Sequence, residues 1–337
     1  MVSVIMAAYN TQSYIADALD SVFAQTYPHF EIIVVDDAST DGTYERVASY
    51  TDSRLKLLRN EQRCGPAFSR NRAIREACGK YVAILDSDDF WAPEKLQKQV
   101  SFLERHSGTV GVGSYIYETD ETGRKIKAVR FALYPGPIRC STFFRCSFAH
   151  SSVMMRRSFI VEHDLWYNET FPGAQDYELW IRAVFAGNFH QLPYYLAFYR
   201  KNPGQLSTHP SKVQQKNAIR VYRQLLQKLD YEPTDNELSS HLRLVGMKEL
   251  TEEEKEKSMD VLEWCVDLYK KNLDKMVFRP YLFASEILLR FLKYCRDNSL
   301  GFLRSLRLMI CLHWRMRCLF FPYFQLFQRL SVNLKDV

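Results

Sequence analysis

No two of the eight cysteines form a Cys-x-x-Cys pair, and no histidine stands at zinc-ligand spacing from them. That argues against a zinc module or a disulfide scaffold and fits reduced thiols. No stretch reaches the ~18 uncharged apolar residues of a membrane span. The N-terminus, MVSVIMAA, lacks the basic start and long apolar run of a secretion signal. No G-x-G-x-x-G follows an early strand, which disfavours a nicotinamide enzyme. Internal repeats and low-complexity tracts are also missing. What remains is ordinary globular composition, with 47% hydrophobic and 25% charged residues in 337. That length suits one large domain with an appendage, or two domains.

The first 120 residues alternate strand-like and helix-like segments. Apolar runs at 2–8, 30–36, 55–59 and 80–85 read as buried strands. Between them, Ile15, Ala18, Leu19, Val22 and Phe23 keep helical spacing, and helices are expected near 43–50 and 66–78. Pro93 opens a further helix carrying Leu96, Val100 and Leu103. Continuous apolar strands separated by helices predict a mostly parallel sheet covered on both faces. Strands near 110–117 and 151–156 and a helix over 174–187 follow. The polar stretch 202–211 predicts a boundary between a domain at 1–210 and a helical region at 211–337, where Thr251 and Glu254 form a capping box.

Ligands of parallel sheets bind at the carboxyl ends of the strands, and three acidic clusters sit at such ends or helix starts. Asp36-Asp37 ends the second strand; its plain reading is a capped loop, and its functional one is a carboxylate over a ligand. A phosphoacceptor receiver is disfavoured, because its acidic pair follows the first strand. Asp86-Ser87-Asp88-Asp89 concentrates three like charges, which repel when desolvated. A hard divalent cation removes that conflict, since magnesium and manganese pair one or two carboxylates with substrate phosphates. Asp176 starts a helix bearing Leu179, Trp180 and Ala183. It reads either as a cap or as a general base beside a metal–phosphate site.

The stretches SVIMAAYN, VVDDASTDGT, SRNRAI, YVAILDSDDFW, HSSVMMRRS and QDYELWIRA, in this order over roughly 1–205, resemble the large family 2 of inverting glycosyltransferases. The resemblance implies an α/β GT-A nucleotide-diphospho-sugar transferase fold with a helical C-terminal region. By it, Ala7, Ala8, Tyr9 and Asp37 would hold the nucleoside, Asp37 accepting from a uracil N3–H. Arg70 would approach the nucleotide, and Asp86, Ser87 and Asp88 would form the D-x-D loop. Asp88 or Asp89 would bind Mn2+ or Mg2+, with Asp86 only bracing the loop. His150 would line the donor-sugar and acceptor cleft, Arg200 would belong to the donor site, and Asp176 would be the base. The sequence departs from the family pattern at Gln175, where Glu is usual, and at Asn202, where the pattern Tyr-Arg-x-His ends.

The implied reaction is metal-dependent inverting transfer from a nucleotide-sugar donor, UDP-sugar above dTDP- or GDP-sugar. The acceptor would be a glycan or lipid-linked glycan in surface polysaccharide synthesis. Processive synthases of this type add membrane helices and Q-x-x-R-W; neither is here, so single-sugar transfer is expected. A non-catalytic sugar-nucleotide-binding or scaffold protein is the alternative, against which the intact acidic residues argue. The tail from Arg290 to Val337 holds nine basic residues against Asp297 and Asp336, more than the whole chain's +6. Residues 301–324 read either as a core helix with a basic edge or as an interfacial segment on the inner leaflet. Trp314 and Phe320-Phe321-Pro322-Tyr323 favour the second. The implied location is cytoplasmic and peripheral to the membrane. Nucleic acid is not an expected partner, for want of a binding motif.

Overall fold

The computed structural model describes residues 1–202, 211–247, 258–298, 300 and 302–316. Two compact units divide the chain, Met1–Tyr222 and Arg223–Val337. The expected boundary at 202–211 falls mostly outside the described residues, as does the capping box at Thr251.

The first unit is built on β1 (Val2–Ala8), β2 (Phe30–Asp36), β3 (Leu55–Arg59) and β4 (Tyr81–Ile84), with α1 (Ile15–Phe23), α2 (Thr43–Ala48) and α3 (Pro66–Glu76) between them. These strands are parallel in the order β3-β2-β1-β4, in register from Val2↔Phe30 to Ala8↔Asp36. Alternate residues of β1 serve opposite cores, because a strand's side chains alternate between faces. Val2, Val4 and Met6 pack with Ala18, Leu19 and Val22 of α1. Ile5, between them, packs with Ala73 and Ile74 of α3.

Beyond β4 the sheet becomes mixed instead of staying mostly parallel. The remaining strands are β5 (Phe90–Trp91), β6 (Gly111–Thr119), β7 (Lys125–Val129), β8 (Met154–Arg156) and β9 (Phe189–Arg200). β8 runs antiparallel to both β4 and β6, β6 and β9 are parallel, β5 is antiparallel to β9, and β7 hangs on β6. The intervening helices are α4 (Lys95–Arg105), α5 (Pro135–Thr142), α6 (Arg157–Glu162) and α7 (Gln175–Ala186), with a 3-10 turn at His150–Ser152. The twelve-residue β9 was not expected from the sequence. Its pairing with β6 jumps from Ser114↔Leu192 to Tyr115↔Tyr195, so Pro193 and Tyr194 bulge out and are exposed. Proline cannot donate to a ladder, and the bulge lets the strand carry one.

α8 (Lys212–Lys228) starts in the first unit and ends in the second. The second unit is helical, as expected: α9 (Asp235–Leu244), α10 (Ser258–Lys275), α11 (Pro280–Asp297) and α12 (Phe302–Arg315). α10 packs against the other three and buries Leu262, Trp264 and Cys265. Thr234 and Glu237 form a reciprocal capping box at the start of α9. Glu263 and Arg315 join in a two-pronged ion pair between α10 and α12. Leu306 and Ile310 of α12 are exposed. The run 320–323 lies outside the described residues. Among the described residues no helix is long and apolar enough to cross a membrane, and the seven described cysteines form no disulfide.

Candidate active site

The acidic loop leaves β4 at the carboxyl edge of the parallel strands. Asp86 receives Nη2 of Arg70 at 2.6 Å, from α3. Arg70 is buried, and its Nη1 has no hydrogen-bond partner among the described residues. Burial pushes Asp86 up, but the Arg70 guanidinium and His150 outweigh it and hold the carboxyl below its usual range. Burial first and the adjacent Asp86 second push Asp88 up to about 6. Ser87 is buried within the loop.

Asp89 points inward. Its Oδ2 accepts from the Ser151 hydroxyl at 2.5 Å and its Oδ1 from the backbone N–H of Arg200 at 2.9 Å. It is only 1% exposed, and burial, then Asp88 and Asp86, raise it well above the carboxylate range. Both oxygens of Asp89 are thus engaged within the protein, the kind of bracing contact that was expected of Asp86. Asp88 keeps one oxygen on the Asn202 amide at 2.9 Å and is half-buried.

Arg200 also departs from expectation, because its guanidinium is spent on protein. Nε donates to the Asp88 carbonyl at 2.9 Å, Nη1 to the Glu121 carbonyl at 2.6 Å, and Nη2 to Asp17 at 2.7 Å. It clamps the loop and is 2% exposed.

The loops after β1 and β2 form the second wall. Asp37 donates its N–H to the Ala8 carbonyl at 2.8 Å. Its carboxylate accepts from Asn60 Nδ2 at 2.6 Å, Cys64 N at 2.9 Å and Gly65 N at 2.8 Å. Three of about four acceptor positions are thus occupied by the protein, and the residue is 1% exposed. Gly65 stands at φ 91°, a conformation glycine adopts without strain, and Pro66 then opens α3. Ala8 is buried, Ala7 and Tyr9 are partly accessible, and the Arg63 guanidinium lies 4.1 Å from the Tyr9 ring centroid.

Asp176 occupies the first turn of α7, half-buried, accepting from the N–H of Tyr177 at 2.7 Å. Its charge acts on Arg70, His150 and Tyr167, the groups on which Asp86 also acts, so the second and third acidic clusters share one electrostatic neighbourhood. His150 Nε2 meets the Tyr167 hydroxyl at 3.0 Å, and its Nδ1 has no partner among the described residues. Burial first, then Arg70, lower His150 to about 4, so the ring is neutral near pH 7. Tyr167 is pinned by a reciprocal pair with Asn71, next to Arg70 (Tyr167 N to Oδ1 2.8 Å, Nδ2 to Tyr167 O 2.9 Å). Gln175 is buried with Oε1 unpartnered among the described residues.

Tyr167, Ser151 and Asn60 were missed by sequence reasoning, since neutral polar residues in loops carry no charge or periodicity signal. Asn202 was signalled only as a departure from a pattern.

Among the described residues no three His, Cys, Asp or Glu side chains gather closely enough to hold a metal ion unaided. A cation shared with a diphosphate needs fewer protein ligands. Asp88, raised by burial and by Asp86, has the unrelieved negative charge that such an ion would neutralise, and the pair fits it.

Residues 3–165 match the family described as glycosyl transferase family 2. The chain is 32% identical over 229 residues to the Escherichia coli UDP-Glc:alpha-D-GlcNAc-diphosphoundecaprenol beta-1,3-glucosyltransferase WfaP, covering 65% of this chain and 86% of that relative. It is 30% identical over 215 residues to the E. coli enzyme of the same activity WfgD, covering 63% and 81%. Its fold is similar to the crystal structure of S. aureus TarS 1-349 in complex with UDP-GlcNAc. The TM-score is 0.60 at 20% identity, over 95% of this chain and 93% of that one.

Proposed function

The chain belongs to glycosyl transferase family 2, and from that membership we propose an inverting, divalent-metal-dependent transfer from a UDP-sugar to a glycan hydroxyl. The acceptor is a lipid-linked or polymeric glycan of a surface polysaccharide. The observation that carries this reading is the grouping of Asp86, Arg70, His150 and Asp176 around one open edge of the sheet. The names of the two E. coli relatives support a UDP-sugar donor and a diphosphate-lipid acceptor.

Asp88, assisted by Asp86, would hold Mn2+ or Mg2+, which when bound supplies positive charge to the departing diphosphate. Asp37, the edge of Ala7 and Ala8, and Tyr9 under Arg63 receive the nucleoside. Arg70 offers its unpartnered Nη1 to phosphate oxygen, and neutral His150 offers Nδ1 to a sugar hydroxyl. Asp176 takes the proton of the acceptor hydroxyl as that oxygen bonds to the anomeric carbon. The bond from that carbon to the phosphate oxygen breaks on the opposite face, and its electron pair leaves with UDP. One displacement inverts the centre.

The enzyme works as a peripheral protein on the cytoplasmic face of a membrane, with the basic residues after Arg290 toward anionic headgroups. A thermal-shift screen of UDP-, dTDP- and GDP-sugars with and without manganese tests the donor. A bound donor at ~100-fold over its Kd stabilises by about 2.7 kcal/mol. Equal shifts for all three bases would overturn the UDP assignment.

A further inference from the structure

Five aromatic rings form a continuous ladder on one face of strands β5, β9 and β6. Phe90 stacks on Phe198 at 4.6 Å between centroids, Phe198 on Tyr117 at 5.9 Å, Tyr117 on Tyr195 at 4.4 Å, and Tyr195 meets Tyr115 at 5.5 Å. All five are half-buried, and none packs into either core cluster of the sheet. Their strand neighbours Trp91, Ile116 and Ala197 face the core instead. A soluble sheet face spends aromatic area this way at a cost, unless something uses it.

The ladder is continuous with the site. Phe90 follows Asp89 directly, and Arg200, two residues after Phe198, holds the loop of Asp88 and Asp89. Its rim is cationic. Lys125 Nζ lies 4.3 Å from the Tyr117 centroid, and the exposed Arg130 donates Nε–H to the Tyr195 hydroxyl at 2.8 Å. The acids nearby are engaged, Glu118 with Lys201 at 2.8 Å and Asp120 with the N–H groups of its own turn.

We infer that this ladder is an extended subsite for the acceptor glycan, and that the glycan is a linear chain bearing acidic groups. The inference rests on the acceptor being a glycan, as proposed above. A sugar ring has a flat C–H face that matches an aromatic ring and a rim of hydroxyls that matches tyrosine O–H. Lys125 and Arg130 select for carboxylate or phosphate on the chain. A membrane surface fits less well. The rings lie against one another on the sheet instead of protruding, and interfacial binding needs side chains that reach several Å into the acyl boundary.

The test uses the full chain with oligogalacturonate as the acidic probe and malto-oligosaccharide of equal length as the neutral one. Wild type should bind oligogalacturonate at least ~10-fold more tightly than the neutral probe. Tyr117→Ala, and separately the exposed pair Lys125→Glu with Arg130→Glu, should each lose ~10-fold of that affinity. Donor-induced thermal shift should stay unchanged in both. Equal affinity for the two probes, or no loss in the Lys125 and Arg130 double variant, overturns the inference. So does ladder-dependent binding of phosphatidylglycerol vesicles or oligo(dT) in place of the glycan. Donor binding is read separately: its failure in wild type would sink the active-site reading, while the glycan arms still decide the ladder.

Discussion

The side-chain amide of Asn202 donates to Asp88 Oδ2 at 2.9 Å, so a residue after the last strand fixes one oxygen of a carboxylate on the acidic loop after β4. The adjacent Asp89 has both oxygens taken by Ser151 and Arg200. The two aspartates should therefore separate on mutation. Asp88→Asn is expected to raise the manganese concentration for half-maximal activity by ~10-fold or more, with little change in melting temperature. Asp89→Ala should instead cost ~1–3 kcal/mol of stability by stranding Ser151 and the Arg200 amide. Metal titration and denaturant unfolding of both variants check this; the reverse pattern would exchange their roles.

Asp176→Asn keeps the shape of the first turn of α7 and removes the base. We expect kcat to fall by ~10²–10⁴ while the donor Kd stays within about twofold. Single-turnover transfer and isothermal titration measure the two. Transfer at the parent rate would assign the proton to another group.

Arg200→Ala removes donors from the Asp88 and Glu121 carbonyls at once. The expected loss is on the order of 2 kcal/mol or more in stability. Donor KM should rise as well, because the loop is no longer held. Arg200→Lys restores the charge but cannot reach three partners in a plane, and it should rescue less than half of the loss. Paired urea titrations and donor saturation curves test this.

His241, fully buried in α9, accepts from Trp264 Nε1–H at 3.2 Å and is lowered to about 3 by burial. Unfolded, it titrates near 6.5, so below that pH the unfolded chain binds a proton that the folded one refuses. Its contribution is fully present above pH 6.5 and is lost as pH falls, by up to ~1.4 kcal/mol per unit, until about pH 3. The difference in unfolding free energy between wild type and His241→Gln should accordingly shrink from pH 7.5 to pH 5. A pH-independent difference would exclude a neutral buried ring.

β1, β2 and β3 have the bounds that their apolar runs predict: β1 and β2 are buried on both faces, which needs uninterrupted hydrophobic residues, while β3 at the sheet edge is only partly buried. β7 gave no such sign: four of its five residues are exposed at the sheet edge. Pro193 hid β9, since only the bulge opposite Ser114 and Tyr115 makes a proline tolerable there. At the site, charge density made Asp86, Asp88 and Asp176 legible. Which aspartate turns inward was not, because that depends on Ser151 and Arg200, 62 and 111 residues from Asp89. Tyr167 was equally hidden, held by Asn71 across 96 residues.

The clamp of Arg200 on the acidic loop has a consequence for the order in which the protein is made. The four parallel strands and their helices end at Ile84, and emerge from the ribosome as a piece able to begin its own core. The loop that follows has Arg70 to meet Asp86 from the start, but gains Ser151 only after 62 further residues and Arg200 after 111. Until then the nascent chain carries Asp88 and Asp89 without their full set of partners. Competence to bind a donor is thus acquired late in synthesis, after the sheet that supports it.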